Sequence, residues 1–189
     1  ITATITEGAI DTLATLTGTG NAYTVTVTDT GATAAELNTL DGKTTVNVIA
    51  SAVTTIESSL VADVKTLITN KTTAGVDGDW TVTLSDAGSA TDTDTILNAT
   101  TGVVTTAQLT GGTYANFATN DKINTALTFA THTSETLASD DSNLEWNWDS
   151  GSATLTFETA ADSSANVAVT LTGITSVAEV GGVFTLTHS

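Results

Sequence analysis

The sequence predicts a mainly β protein with short helices, in which an N-terminal strand–helix repeat part is followed by a β-sandwich-like part. Three observations support this fold class. About a quarter of the 189 residues are threonine, a β-branched residue that favours strands. Several runs alternate apolar and polar residues, as half-buried strands do. A pattern of strand-like and helix-like segments also recurs in the first half of the chain, which is typical of stacked modules.

The first six residues, ITATIT, alternate without a break. Ile1, Ala3 and Ile5 fall on one face of the predicted strand, and threonines fall on the other. Such a strand either pairs within its own subunit or adds to the sheet edge of a neighbouring subunit. Ile1, Ala3 and Ile5 are therefore candidate residues of an assembly strand.

The next elements are predicted from alternation and from helix signals. Residues 22–29 alternate and predict a strand. Thr33 and Glu36 have the spacing of a capping box, which predicts the start of a short helix. Residues 57–69 carry an apolar stripe at helical spacing and predict a second helix, capped by one of two adjacent serines.

The run around Trp80 repeats the run around Tyr23 at an offset of 57 residues. The matched positions are Tyr23 and Trp80, Val25 and Val82, Val27 and Leu84, Asp29 and Asp86, Gly31 and Gly88, and Leu40 and Leu97. We predict a repeat part at 1–112, with copies at about 22–78 and 79–112 after the N-terminal strand 1–6. From 113 to 189 the predicted strands are short and carry larger apolar residues, which indicates a β-sandwich-like part.

The charge balance restricts the classes of partner. The chain has 21 acidic residues, four lysines, no arginine and a formal net charge of −17. Nucleic-acid binding needs lysine and arginine to displace counterions from phosphates, so this class is excluded. No apolar run approaches the ~18 residues that span a bilayer, so no membrane span is expected. The absence of cysteine and methionine removes easily oxidised residues, which favours an extracellular or cell-surface location.

Three pairs of aspartates are candidate calcium ligands. The pairs are Asp77 and Asp79, Asp92 and Asp94, and Asp140 and Asp141. Calcium binds oxygen ligands, and two closely spaced aspartates in a loop can aim both carboxylates at one cation. Aspartate is also a common turn residue, and the full EF-hand pattern is absent from the sequence. The pairs are therefore open to a second interpretation, as solvated turns.

The sequence does not predict an enzyme. Neither His132 nor His188 lies in a nucleophile elbow. Acidic residues around Trp146 and Trp148 raise the alternative of a sugar site, which would need two carboxylates beside the substrate. Alternation places both tryptophans on one face and the acidic residues next to them on the other, which favours core tryptophans.

Two asparagines are candidate glycosylation sites. Asn70 is followed by Lys and Thr, and Asn98 is followed by Ala and Thr, so both begin an acceptor sequon. The abundant threonine and serine hydroxyls add candidate positions for O-linked sugars. Glycans are therefore expected either as attached groups or as partners.

Four segments occur in a characteristic order: VTVTDT at 25–30, AAELNTLDGKTT at 34–45, VTTI at 53–56 and LVADVKTLI at 60–68. With these segments, residues 18–68 resemble a repeat of very large bacterial surface proteins, in particular cyanobacterial ones, that are rich in threonine, alanine and aspartate. The resemblance implies a repetitive extracellular protein, often next to calcium-binding repeats, and it carries over no catalytic residue. The chain departs from the pattern after residue 112.

These observations together predict a structural subunit of an extracellular filament or surface layer. The subunit is expected to form a homopolymer head to tail, with strand 1–6 donated to a neighbour, because heterologous contacts that do not close give open fibres. The alternative is a calcium-dependent adhesin or a carbohydrate-binding module. Such a module would be a monomer that binds a glycan through an exposed tryptophan.

Overall fold

The computed structural model describes residues 1–127, 131–132, 144–159 and 166–189. The protein is mainly β with short helices, as the sequence predicts. The helices are α1 (Ile10–Leu13), α2 (Ala34–Asp41), α3 (Val61–Ala74) and α4 (Ala90–Leu97). The first strands are β1 (Thr2–Thr4), β2 (Ala22–Thr24), β3 (Gly31–Ala32), β4 (Thr55–Ser59), β5 (Thr81–Leu84), β6 (Val104–Thr106) and β7 (Gly112–Tyr114). The remaining strands are β8 (Lys122–Asn124), β9 (Thr131–His132), β10 (Glu145–Asp149), β11 (Thr154–Glu158), β12 (Asn166–Leu171), β13 (Ile174–Val180) and β14 (Val183–His188).

The chain divides by its contacts into two compact units. The first comprises Ile1–Ser85 and Ala99–Gly102, and the second comprises Asp86–Asn98 and Val103–Ser189. This division differs from the boundary at residue 112 that the sequence suggests. The reason is that α4 packs against β7 and the carboxylate of Asp94 accepts backbone hydrogen bonds from Ala115 and Asn116. These contacts join the α4 segment to the second unit.

The first unit is a stack of parallel strands connected by helices. β1 pairs in parallel with β2, and β3, β4 and β5 pair in parallel in that order. Single parallel bridges join Asn21 to Thr44 and Thr26 to Ile49 between these groups. Each strand segment therefore lies beside the next one along the chain, with α1, α2 or α3 crossing over between them.

The stacking period is shorter than the predicted repeat. The register aligns Gly31 with Thr55 and Thr55 with Thr81, so successive strand–helix coils are 24 and 26 residues apart. The predicted offset of 57 residues does relate α2 to α4, which are both eight residues long. Thr33 and Ser89 cap these two helices with their side chains. The sequence repeat thus marks similar helices, whereas the strands stack with about half that period.

The core of the first unit lies between the strands and the helices. Its buried strand residues include Val25, Val27, Val48, Ile56, Val82 and Leu84, and its buried helix residues include Leu13, Leu37, Leu40, Val64 and Leu67. Helix α2 contacts α1 and α3, so the helices form one layer over one face of the strands. Each fully buried aliphatic side chain of this kind contributes about 1.5–3 kcal/mol to folding.

Two local predictions have different outcomes. The capping box at Thr33 and Glu36 is confirmed, and α2 begins where it predicts. The helix predicted at 57–69 is displaced, because residues 55–59 form β4 and pair with strands on both sides. Helix α3 starts only at Val61, has no side-chain cap and ends at Gly75, which has left-handed backbone angles.

The second unit contains two groups of antiparallel and parallel strands that face each other. One group has the order β7-β12-β11-β10-β9, and in the other β6, β8, β14 and β13 lie side by side. The Phe184 ring on β14 packs edge-on against Trp146 on β10, with ring centroids 5.1 Å apart. Phe157 on β11 lies 5.9 Å from the same phenylalanine. These aromatic contacts are the sandwich-like core that the larger apolar residues after residue 113 predict.

Candidate functional site

The predicted calcium ligands do not converge in the part of the chain that is described. Asp77 and Asp79 are exposed in the loop before β5. Asp94 uses its carboxylate to accept backbone hydrogen bonds, and the backbone N–H of Asp92 donates to the cap residue Ser89. Asp140 and Asp141 lie outside the described residues.

No group of three or more aspartate, glutamate or histidine side chains in the described ranges has the arrangement of a metal site. Calcium binding at the aspartate pairs stays a prediction. The two pairs that are described lie on opposite sides of β5, one in the loop before it and one in helix α4.

An acidic cavity in the first unit is the most polar concave feature that sequence reasoning missed. Asp11, Asp29, Glu36 and Glu57 line a cavity of about 230 Å³ beside Gly31. Asp11 comes from α1, Glu36 from α2 and Glu57 from β4, while Asp29 follows the strand segment of the second coil. Stacking of three successive coils therefore brings together carboxylates that are far apart in sequence.

Hydrogen bonds fix the carboxylates of this cavity. Asp29 Oδ2 accepts from the backbone N–H of Ile10 at 2.6 Å. Glu36 Oε2 accepts from the backbone N–H of Thr33 at 2.8 Å and from its hydroxyl at 2.7 Å. The backbone bond from Thr33 is the main reason that the pKa of Glu36 lies below its usual value, and hydrogen bonds from the Thr33 hydroxyl and Asp11 lower it further.

Glycine at position 31 makes room for this arrangement. A Cβ atom at Gly31 would lie 2.7 Å from Glu57 Oε1, so any larger residue would displace that carboxylate. The cavity offers oxygen atoms only, which attract hard cations and repel anions. No spacing rule predicts it from sequence, because its members belong to different coils whose lengths differ.

The second unit contains three buried acidic residues: Asp121, Glu145 and Glu158. Asp121 accepts backbone hydrogen bonds from Val104 at 2.8 Å and from Ala118 at 2.7 Å. Burial nevertheless raises the pKa of Asp121 above its usual value. Glu158 Oε2 accepts from the backbone N–H of Glu145, and Glu158 Oε1 is buried without a hydrogen-bond partner.

The tryptophans of the sequence are not surface platforms. Trp80 and Trp146 are buried, and Trp148 is half-buried. Trp146 packs against the Phe184 ring, in agreement with its interpretation as a core residue. A sugar stacked on a fully exposed tryptophan, the arrangement expected of the carbohydrate-binding alternative, therefore has no matching residue.

The predicted assembly strand is paired in its own chain. The Ile1 carbonyl accepts from Ala22, and the Ile5 N–H donates to Thr24, so β1 is held by β2. Ile1 is 87% exposed, and Ala3 and Ile5 are half-buried. β1 is the end member of its sheet, and its other edge faces no strand within the described ranges.

The two sequons differ in their structural setting. Asn70 is half-buried near the end of α3. Asn98 is exposed at the C-terminal cap of α4. The hydroxyl of Thr100, which completes the second sequon, is buried and donates to the Trp80 carbonyl. Glycosylation at either position stays a prediction.

The outer side of the parallel strands in the first unit is a continuous exposed face. It consists of every second residue in 2–6, 24–28 and 47–51, and all of these side chains are exposed. The intervening residues of the last two segments point into the core. Six of the nine residues are threonines. We call this surface the threonine face.

Comparisons with protein-family models, with curated proteins and with solved structures each found no match. Among the helices of the described ranges, none is long and apolar enough to cross a membrane.

Proposed function

We propose that this chain is a structural subunit of an extracellular filament or surface layer that assembles head to tail through its N-terminal strand. The observation that carries the proposal is the parallel stack of strand–helix coils, which ends at an open strand edge on β1. A stack of this kind buries its coils against one another and leaves an edge that the next copy can cover.

The composition of β1 supports a joining role. Natural proteins protect open edges with lysine, proline or inward-pointing charges. Residues 1–6 contain none of these. An edge without such protection favours addition of another strand, and a contact between two different surfaces of identical copies propagates into an open polymer.

The backbone of β1 has one satisfied side and one open side. The Ile1 carbonyl and the Ile5 N–H bond to the β2 segment. Backbone groups of successive residues point to opposite sides of a strand, so the N–H groups of Thr2 and Thr4 point away from β2. These two residues offer the groups that a neighbouring strand would bind, whether β1 stays in place or is donated.

Deletion of residues 1–6 tests the proposal, and we expect soluble monomers in place of polymers. A finer variant is Thr4→Pro, which removes one outward N–H and should block strand addition at that edge. Thr4→Val keeps the N–H and serves as the matched control. Polymers that still form after the deletion would show that the N-terminal strand is not the joint.

A second candidate function is a calcium-dependent adhesin or carbohydrate-binding module. The observation that favours it is the exposed loop with Asp77 and Asp79, where two carboxylates are open to a cation. A monodisperse monomer that binds glycans on an array, and loses them in a chelator, would support this function over the filament.

A further inference from the structure

Building on the proposed function, we propose that the threonine face is the surface through which two copies of this chain pack side by side. In a filament, such a contact would join neighbouring filaments laterally into a sheet. The inference concerns a second surface, separate from the β1 edge that the head-to-tail contact uses.

The register of the strands makes the face continuous. Thr4 lies beside Thr24, and Thr26 lies beside Ile49. Neighbouring strands in a sheet are about 4.8 Å apart, and alternate residues along a strand are about 6.6 Å apart. The three segments therefore present three parallel rows of short, similar side chains, and the helices of the unit lie on the opposite side of the strands.

The face is free of charge in a strongly acidic protein. None of its nine residues is acidic or basic, although the chain carries 21 acidic residues and a net charge of −17. Glu7, which follows the first row, turns its carboxylate to the backbone N–H groups of Gly8 and Ala9. The acidic groups Asp11 and Glu36 belong to the helices, behind the strands.

This distribution of charge favours a second copy as the occupant. Two copies with the same large negative charge repel each other, and the repulsion is greatest where carboxylates face carboxylates. A charge-free face is the surface at which the copies can approach without that penalty. Threonine supplies a methyl group for packing and a hydroxyl group for hydrogen bonds across the contact, and Ile49, 47% exposed, adds an apolar side chain in the middle of the third row.

The geometry fits face-to-face packing of two sheets related by a two-fold axis. Sheets pack about 10 Å apart, and an isologous contact uses the same surface on both copies. Three short strands give a smaller patch than the roughly 800 Å² per partner of a standard stable interface. A single contact is therefore weak, and a filament that repeats it many times holds its neighbour by multivalency.

Charge introduced into the face tests the inference. Thr26→Glu and Ile49→Glu each place two carboxylates opposite each other in the proposed contact. Thr66→Glu is the matched control, because Thr66 is exposed on α3 away from the face. Thermal melts followed by circular dichroism show whether the three variants remain folded.

Electron microscopy of polymers provides the readout. We expect filaments of the parent and of Thr66→Glu to lie side by side, and filaments of Thr26→Glu and Ile49→Glu to remain single. Side-by-side filaments in the two face variants, or single filaments in the parent, would overturn the inference while the proposed function stands.

Sedimentation equilibrium separates the inference from the proposed function if no filaments form. Without filaments, the head-to-tail proposal fails. A dimer of the parent at millimolar concentration that is at least tenfold weaker in Thr26→Glu would still support the face. A parent that stays monomeric there, or that uses the face to bind an insoluble polysaccharide instead of its own copy, would overturn it.

Discussion

Asp121 is a buried carboxylate that ties three segments of the second unit together. Its two oxygens accept from Val104 and Ala118, and its own carbonyl accepts from Leu186. A carboxylate with both oxygens satisfied by backbone N–H groups acts as an acceptor that asparagine can replace only on one side. The sequence analysis did not single out this residue, because nothing in its neighbours distinguishes it from a turn aspartate.

Replacement of Asp121 tests this role. Asp121→Asn leaves one buried N–H facing an amide group that cannot accept, so we expect the free energy of unfolding to fall by about 1–3 kcal/mol. Asp79→Asn, at an exposed position, should change it by less than about 0.5 kcal/mol. Chemical denaturation measures both values, and equal effects of the two variants would contradict the structural role of Asp121.

The capping box of α2 gives a prediction that depends on pH. The pKa of Glu36 is lowered from 4.5 in the folded protein, mainly by the Thr33 N–H. The ionised carboxylate therefore stabilises the fold above the unfolded pKa, and this stabilisation is lost as the pH falls through the lowered folded pKa. The stability difference between the parent and Glu36→Gln should be larger near pH 7 than near pH 3. A difference that does not change with pH in denaturation experiments would contradict this assignment.

At the scale of elements, the coils of the first unit touch most closely at Gly75. Gly75 ends α3 with φ +66°, and a Cβ atom there would overlap the carbonyl oxygen of Val48 in the preceding coil. Gly20 has a similar φ of +72°, but nothing lies within 4 Å of a Cβ at that position. The two glycines share the backbone requirement and differ only in the close approach.

Alanine substitutions separate these two costs. Gly20→Ala should lose about 1–2 kcal/mol of stability, the cost of left-handed angles for a residue with a Cβ. Gly75→Ala should lose clearly more, because two coils must also move apart. Thermal unfolding compares the two variants, and equal losses would argue against close contact between the coils at Val48.

The elements show which features the sequence predicts and which depend on stacking. The start of α2 follows from Thr33 and Glu36 alone, because a capping box is a local interaction. The strand predicted at 22–29 is described as β2 over only its first residues, since its later part is joined to the next coil by a single bridge at Thr26. The region 57–69 has the apolar spacing of a helix, yet its first residues pair as β4. Tertiary pairing overrides local preference there.

The acidic cavity and the threonine face also illustrate this limit. The alternation in residues 1–6 and 22–29 predicts which side chains are exposed. It does not predict that Thr4 lies beside Thr24, because the register depends on the length of the helical crossover. The same crossover lengths bring Asp11, Asp29 and Glu57 together. Contacts of this kind follow from coil geometry and not from spacing.

At the scale of the whole molecule, the net charge of −17 opposes assembly. Divalent cations that bind carboxylates reduce this repulsion and can bridge copies. We expect calorimetry to record heat on titration with millimolar Ca²⁺, and expect the double variant Asp77→Asn and Asp79→Asn to reduce it. Asp149→Asn, in a turn where Gly151 and Ser152 already donate to the carboxylate, is the control. The absence of heat in the parent would contradict calcium binding.

The most direct test of the account is negative-stain electron microscopy of the intact protein, with and without a calcium chelator. The account predicts regular fibres or sheets of a repeating subunit, and their dispersal on chelation would assign the aspartate loops to the joints. Isolated particles in both conditions would contradict a structural, self-assembling role.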